Sequence, residues 1–212
     1  LRQIIQNGVP SGFQNSVIAI ANVFVQANIN AFGKMAMAGC GSYSKIEGFA
    51  FLPVTCFTMA LTTFVSQNLG AKQYDRAKKG AWFGVLCSIS IAELIGILIY
   101  TAAPILISAF NSDPEVVHYG VMQSRTIALF YCLLAFSHCI AAVLRGSGHA
   151  AVPMIVMFCD WCLFRVSYIT VAVRLISDIR VIFWAYPLTW SISSVIFLYL
   201  FLRGKWVYGF EK

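Results

Sequence analysis

Apolar residues run along the chain in six long blocks, separated by short polar connectors. A helix needs about 20 residues to cross the hydrocarbon of a bilayer. The blocks, at roughly 9–32, 44–69, 80–108, 116–143, 150–173 and 179–202, each suffice. The connectors carry turn chemistry: three glycines in "FGKMAMAGCG", the Asp113-Pro114 pair in "NSDPE", and Gly146 and Gly148 in "RGSGH". Asp113-Pro114-Glu115 also reads as a helix start, with proline in the first turn and acids at the positive end of the dipole. Pro10 and Pro153 sit where a span begins and a missing N–H costs nothing. The pattern predicts an all-α polytopic membrane protein, a bundle of six transmembrane helices.

Composition agrees. Of 212 residues, 59% are hydrophobic and only 11% charged, with a mean hydropathy of +0.77. A soluble domain carries about 25% charged residues, and a lipid-facing surface needs none. The net charge of +7 does not indicate nucleic acid, because the cations form short clusters between apolar runs rather than one stripe with interleaved aromatics. Six of the seven cysteines lie inside apolar runs, where a thiol packs as a small hydrophobe. Cys159 and Cys162 have half-site spacing, but no second pair completes a zinc site, so no metal centre, cofactor or disulfide framework is expected.

Charge also orients the bundle, since Lys and Arg accumulate in cytoplasmic loops. With the basic parcel "SQNLGAKQYDRAKKG" inside, Arg2, Lys72, Arg76, Lys78, Lys79, Arg145, Arg203, Lys205 and Lys212 are all inside. Only Lys34, Arg174 and Arg180 fall outside. Both termini are then cytoplasmic. The start "LRQIIQNGVPSG" lacks an initiator Met and a signal-type core, and reads as the middle of a longer protein.

Polar residues sit at costly depths. Asn15, Asn22, Gln26 and Asn30 fall within about 80° of one another on a helical projection. Such a stripe is either glue between helices or the wall of a polar cavity. Glu47, Phe51, Thr55, Thr58 and Thr62 share a second face, either a path for a cation or proton or threonines bonded back to their own helix. Ionisable groups within spans are Glu47, Glu93, Arg125, His138, Asp160 and Arg165. They are structural pairs or functional groups. By a rise of about 1.5 Å per residue, Glu47 can reach Arg125 or Arg165, and Asp160 can reach His138.

The segments "GVPSGFQNSVIAIANVFVQANINAFG", "KIEGFAFLP", "TTFVSQNLGAKQYDRAKKG", "NSDPEVVHYG" and "LRGSGHAAVPMIV", in that order, resemble the second half of the multidrug and toxic compound extrusion (MATE) family. The resemblance implies a bacterial cell-membrane antiporter of twelve spans in two lobes, exporting amphipathic, often cationic drugs or toxins in exchange for Na⁺ or H⁺. Residues 1–212 would be its C-terminal lobe, partnered by an N-terminal lobe outside the chain and by the bilayer. The basic parcel matches the family's cytoplasmic link, whose basic stretch lies along the membrane surface. One branch of the family has a glutamate in the first span of this half. Here that region reads Ile18-Ala19, so that site does not carry over, and coupling falls either to the N-terminal lobe or to Asp160, His138 or Glu47, with Asp160 the better proton carrier and Glu47 the better anchor. Asn15, Asn22, Gln26, Asn30 and Arg125 are the candidate cavity residues. A flippase of lipid-linked or polyisoprenoid substrates is the alternative, kept open by Arg125 and Arg165. A channel is less favoured. An intramembrane enzyme would need a nucleophile–base or metal motif that the sequence lacks.

Overall fold

A computed structural model describes residues 2–203 and 205–208 of the chain. The described residues form six helical rods and no strand. Three rods are unbroken in sequence order: α1 (Arg2–Asn30), α2 (Lys34–Gly70) and α3 (Tyr74–Ser108). The fourth is α4 (Pro114–Ile127), a 3₁₀ turn at Ala128–Phe130, and α5 (Tyr131–Gly146). The fifth is α6 (Ala151–Met157), a π-helical stretch at Phe158–Phe164, and α7 (Arg165–Leu175). The sixth is α8 (Arg180–Leu202), followed by a 3₁₀ turn at Lys205–Tyr208. Lys212, counted above for orientation, lies outside the described residues.

Five of the rods are long and apolar enough to cross a membrane. The amides of α1 dilute its apolar content below that level. The surface carries large bare side chains, among them Phe49, Phe83, Ile105 and Leu175, each at least 70% exposed. Water would charge about 25 cal/mol per Å² for such a surface, and acyl chains do not. This is a multi-pass membrane protein.

Two packed regions hold the rods together. Tyr43, Val65, Val85, Ile107, Ile127 and Ile140 join α2, α3, α4 and α5, with Trp190 and Phe197 of α8 against them. Val25 and Ile29 of α1 meet Ala36 and Cys40 of α2, Ile169 of α7, and Ile182 and Phe183 of α8.

Several sequence boundaries move. The stretch expected as a glycine connector, "FGKMAMAGCG", is helix from Lys34 onward, so the link between α1 and α2 is only residues 31–33. Gly33, at φ 105°, makes that turn. Gly39 is there for packing: a Cβ on it would sit 2.5 Å from the Val116 carbonyl oxygen of α4. Pro10 lies inside α1 rather than at its start. The basic parcel is not a separate surface stretch, because Tyr74 onward is continuous with the span of α3. Asp113 does cap α4, accepting from the amides of Glu115 and Val116 at 2.9 and 3.4 Å.

The break in the fourth rod has no proline. There Glu93 of α3 accepts the Cys132 amide through Oε2 at 3.2 Å, holding a donor freed by the change of helical pitch. Of the ionisable groups within spans, Glu93 thus has a structural task.

Candidate functional site

The packing leaves a cavity of about 490 Å³ between α1, α2, α5, the π-helical stretch and α8. Helical spacing delivers its polar wall. Asn15, Asn22 and Gln26 of α1 line it together, as does Glu47 from α2, with Ser44 and Gly48 beside it. His138 of α5 completes the ionisable lining. Phe51, Trp161, Tyr186 and Trp190 supply aromatic rings to the lining. Asn15 and Asn22 are exposed and Gln26 and Glu47 half-buried, so the cavity is open on the α1 side.

Glu47 is held lightly. Tyr43 donates its hydroxyl to Oε1 at a long 3.4 Å, and Tyr43 itself pairs with the Tyr131 hydroxyl at 2.8 Å. The expected ion pair with Arg125 or Arg165 is not made. The one ion pair among the described residues is Arg180 with Asp178, at 4.0 Å on the surface. The fourth stripe residue, Asn30, is outside the lining; its Oδ1 accepts from Gln26 Nε2 at 2.8 Å, one turn along. That bond holds the Gln26 amide in place. The threonine face below Glu47 takes the plainer of its two readings: Thr55, Thr58 and Thr62 donate to the carbonyls of Phe51, Thr55 and Thr58. Thr62 also reaches the Ala142 carbonyl at 3.3 Å and so ties α2 to α5.

Neither in-span arginine lines the cavity. Arg125 is exposed and stands 5.7 Å over the Tyr100 ring. Arg165 is fully buried behind the cavity wall, its guanidinium 4.3 Å from the Trp161 ring and 4.7 Å from that of Tyr186. Nη2 donates to Thr189 Oγ1 at 2.6 Å. The cation therefore braces from behind two of the rings that face the cavity.

Asp160 also lies apart. It borders a separate small cleft with Ile155, Val156, Cys159 and Phe164, and it is 3% exposed. The expected pair with His138 is not formed, because the π-helical turn carries Asp160 away while Trp161 meets the imidazole edge-on at 5.7 Å. Phe51 meets the same imidazole at 5.1 Å. Candidate residues are thus sorted by the fold: Asn15, Asn22, Gln26, Glu47 and His138 converge, while Asn30, Arg125 and Asp160 do not.

Sequence reasoning missed the aromatic wall and its brace. Trp161, Tyr186 and Trp190 belong to ordinary apolar runs, and nothing in their local pattern separates a cavity ring from a lipid-facing one. A further link, Arg145 Nη1 to Gln14 Oε1 at 3.5 Å, joins α5 to α1 across 131 positions of sequence.

The MatE family profile matches residues 10–171. A probable multidrug resistance protein NorM of Thermotoga maritima is 28% identical over 211 residues, covering 97% of this chain and 44% of that protein. The chain thus spans less than half the length of that relative. Among solved structures, a MATE transporter in complex with MaL6 superposes with a TM-score of 0.89 over 98% of this chain and 47% of its own, at 17% identity. The MATE transporter ClbM, solved with Rb⁺, gives the same TM-score over 97% and 49%, at 20% identity. The fold is that of one half of those transporters. By the extent of the profile match and the agreement of fold, this chain belongs to the MatE family.

Proposed function

We propose that the chain is the C-terminal lobe of a bacterial cell-membrane antiporter that exports amphipathic cationic drugs or toxins in exchange for Na⁺ or H⁺. The lining of the cavity carries this reading: one carboxylate, Glu47, one imidazole, His138, three amides and four aromatic rings. A flat organic cation is attracted to a carboxylate through space and to ring faces by about 0.5–2 kcal/mol each. Amides then satisfy its polar edges. Exchange follows from occupancy, since one carboxylate neutralised by H⁺ or Na⁺ no longer attracts the drug cation. Binding of one releases the other. The facing wall would come from the N-terminal lobe, and the two lobes would rock about the shared site. The distribution of Lys and Arg supports a cytoplasmic position for both chain ends.

The same lining argues against a flippase of lipid-linked or polyisoprenoid substrates. Such a substrate, with its phosphates, wants cations in the cavity, and Arg125 and Arg165 both lie outside it.

Glu47 is accordingly the coupling candidate of this lobe, ahead of Asp160. The test is ethidium efflux by the full-length protein with Na⁺ and H⁺ gradients imposed separately. Glu47→Gln should abolish gradient-driven efflux, and Asp160→Asn should leave the dependence on gradient unchanged. Wild-type efflux by Glu47→Gln under both gradients would overturn the assignment.

A further inference from the structure

A second cavity lies about 15–26 Å along α2 from Glu47, by its rise of about 1.5 Å per residue. It is a groove of about 660 Å³ between the end of α2 and the start of α3. Its floor and walls are Phe57, Leu61, Phe64, Gly80, Phe83 and Gly84. Gly80 lacks the side chain that would meet the Phe64 ring, and a Cβ on Gly84 would lie 2.6 Å from Leu61. The two glycines, one turn apart, let the apolar walls close to a narrow slot. The slot opens sideways, where Phe83 is 70% exposed.

The rim is charged, with Asp75, Arg76 and Lys79 all exposed. Arg76 gives one hydrogen bond to Gln73 Oε1, at 3.3 Å, which leaves most of its five donors free. Lys79 borders a second cleft as well, of about 460 Å³, with Lys78, Trp82, Phe201 and Trp206. There Trp82 meets Phe201 at 4.9 Å and Trp206 stacks on Phe201 at 5.4 Å. Trp206 is buried and gives its N–H to the Phe201 carbonyl at 3.2 Å, while the exposed Trp82, with an apolar body and a polar N–H, suits the depth of lipid headgroups. Asp75 is the single acid against Lys72, Arg76, Lys78 and Lys79 in residues 72–80.

We infer that this groove is a binding site for an anionic phospholipid of the inner leaflet, with one acyl chain between Phe57, Phe64 and Phe83 and the phosphate on Arg76 and Lys79. The apolar slot fits a hydrocarbon tail and nothing polar. The rim fits a phosphate carrying a net negative charge. A zwitterionic phosphatidylcholine brings its own ammonium and gains little from three surplus cations. Basic pockets between membrane helices on the cytoplasmic side take up anionic headgroups by this combination. The site is independent of the cavity around Glu47.

The test uses full-length protein in nanodiscs of phosphatidylcholine with added phosphatidylglycerol, read by native mass spectrometry of retained lipid. Crosslinking to phosphatidylglycerol with a photoreactive acyl chain is the second readout. Phosphatidylglycerol should be retained over phosphatidylcholine, and crosslinks should map to residues 57–64 and 80–84. Each cation near the surface is worth about a fivefold preference, so the Arg76→Gln, Lys79→Gln double variant should lose about thirtyfold. The Arg76→Lys, Lys79→Arg swap should keep the preference, as should Lys34→Gln, which lies away from the groove. Ala60→Trp fills the slot from an exposed position and should remove the crosslink while the protein elutes normally. Inorganic phosphate should not displace the lipid. Equal retention of both lipids, displacement by phosphate, crosslinks elsewhere, or protection of the slot by the rest of the transporter would each overturn the assignment.

Discussion

Gly39→Ala should destabilise the protein although alanine is the better helix former. In the helix interior alanine is worth about 1 kcal/mol over glycine. A Cβ at Gly39, however, would lie 2.5 Å from the Val116 oxygen, 2.9 Å from the Gly120 nitrogen and 2.9 Å from the Tyr119 Cβ. Two of these are backbone atoms of α4, so no rotamer change relieves them, and α2 and α4 must part. Overpacking of this kind costs about 1–3 kcal/mol. The rigid neighbours put Gly39 at the upper end, leaving a net loss of about 2 kcal/mol after the gain in propensity. For a chain of this length that lowers Tm by about 4–8 °C. Gly41, two residues on in the same helix, has nothing within 4 Å of its Cβ position. Gly41→Ala should therefore raise Tm by about 2–4 °C. Fluorescence size-exclusion thermal melts in one detergent give both values. Equal shifts for the two variants would refute the reasoning, and with it the helical assignment of residues 34–43.

Asp113→Ala should lower stability by about 1 kcal/mol, from loss of the bonds to Glu115 and Val116, and Asp113→Asn should recover most of it in the same melts. Cysteines placed at Lys79 and Asp113, at opposite ends of α3, should react with an impermeant reagent from opposite faces of the membrane; labelling from one face would break the topology. Asn22→Leu, on the cavity wall, should change the spectrum of exported drugs, whereas Thr63→Val, at an exposed position whose hydroxyl donates to the Met59 carbonyl of its own helix, should not. Expressed without the other lobe, residues 1–212 should show no drug efflux in transport-deficient cells, and activity there would contradict the two-lobe mechanism unless the chain dimerises.

Period and composition determined much of this molecule. Lipid exposure demands long apolar helices with satisfied backbones, so the six rods and the all-α class follow from the pattern alone. A stripe at helical spacing shares one face wherever the helix packs, which is why Asn15, Asn22 and Gln26 were legible as a group. Local capping chemistry likewise made Asp113 readable. What faces that stripe is a matter of tertiary structure. Trp161, Tyr186 and Trp190 come from two other rods, and their apolar context is the same whether they meet a cavity or an acyl chain. The partners of the ionisable groups were open for the same reason. Depth alone allows Glu47 to reach an arginine and Asp160 to reach His138. The π-helical interruption of the fifth rod instead turns Arg165 behind the aromatic wall and Asp160 into its own cleft. Helix spacing constrains rotation within one rod. Only packing sets the rotation of one rod against another, and it left Glu47 beside the rings.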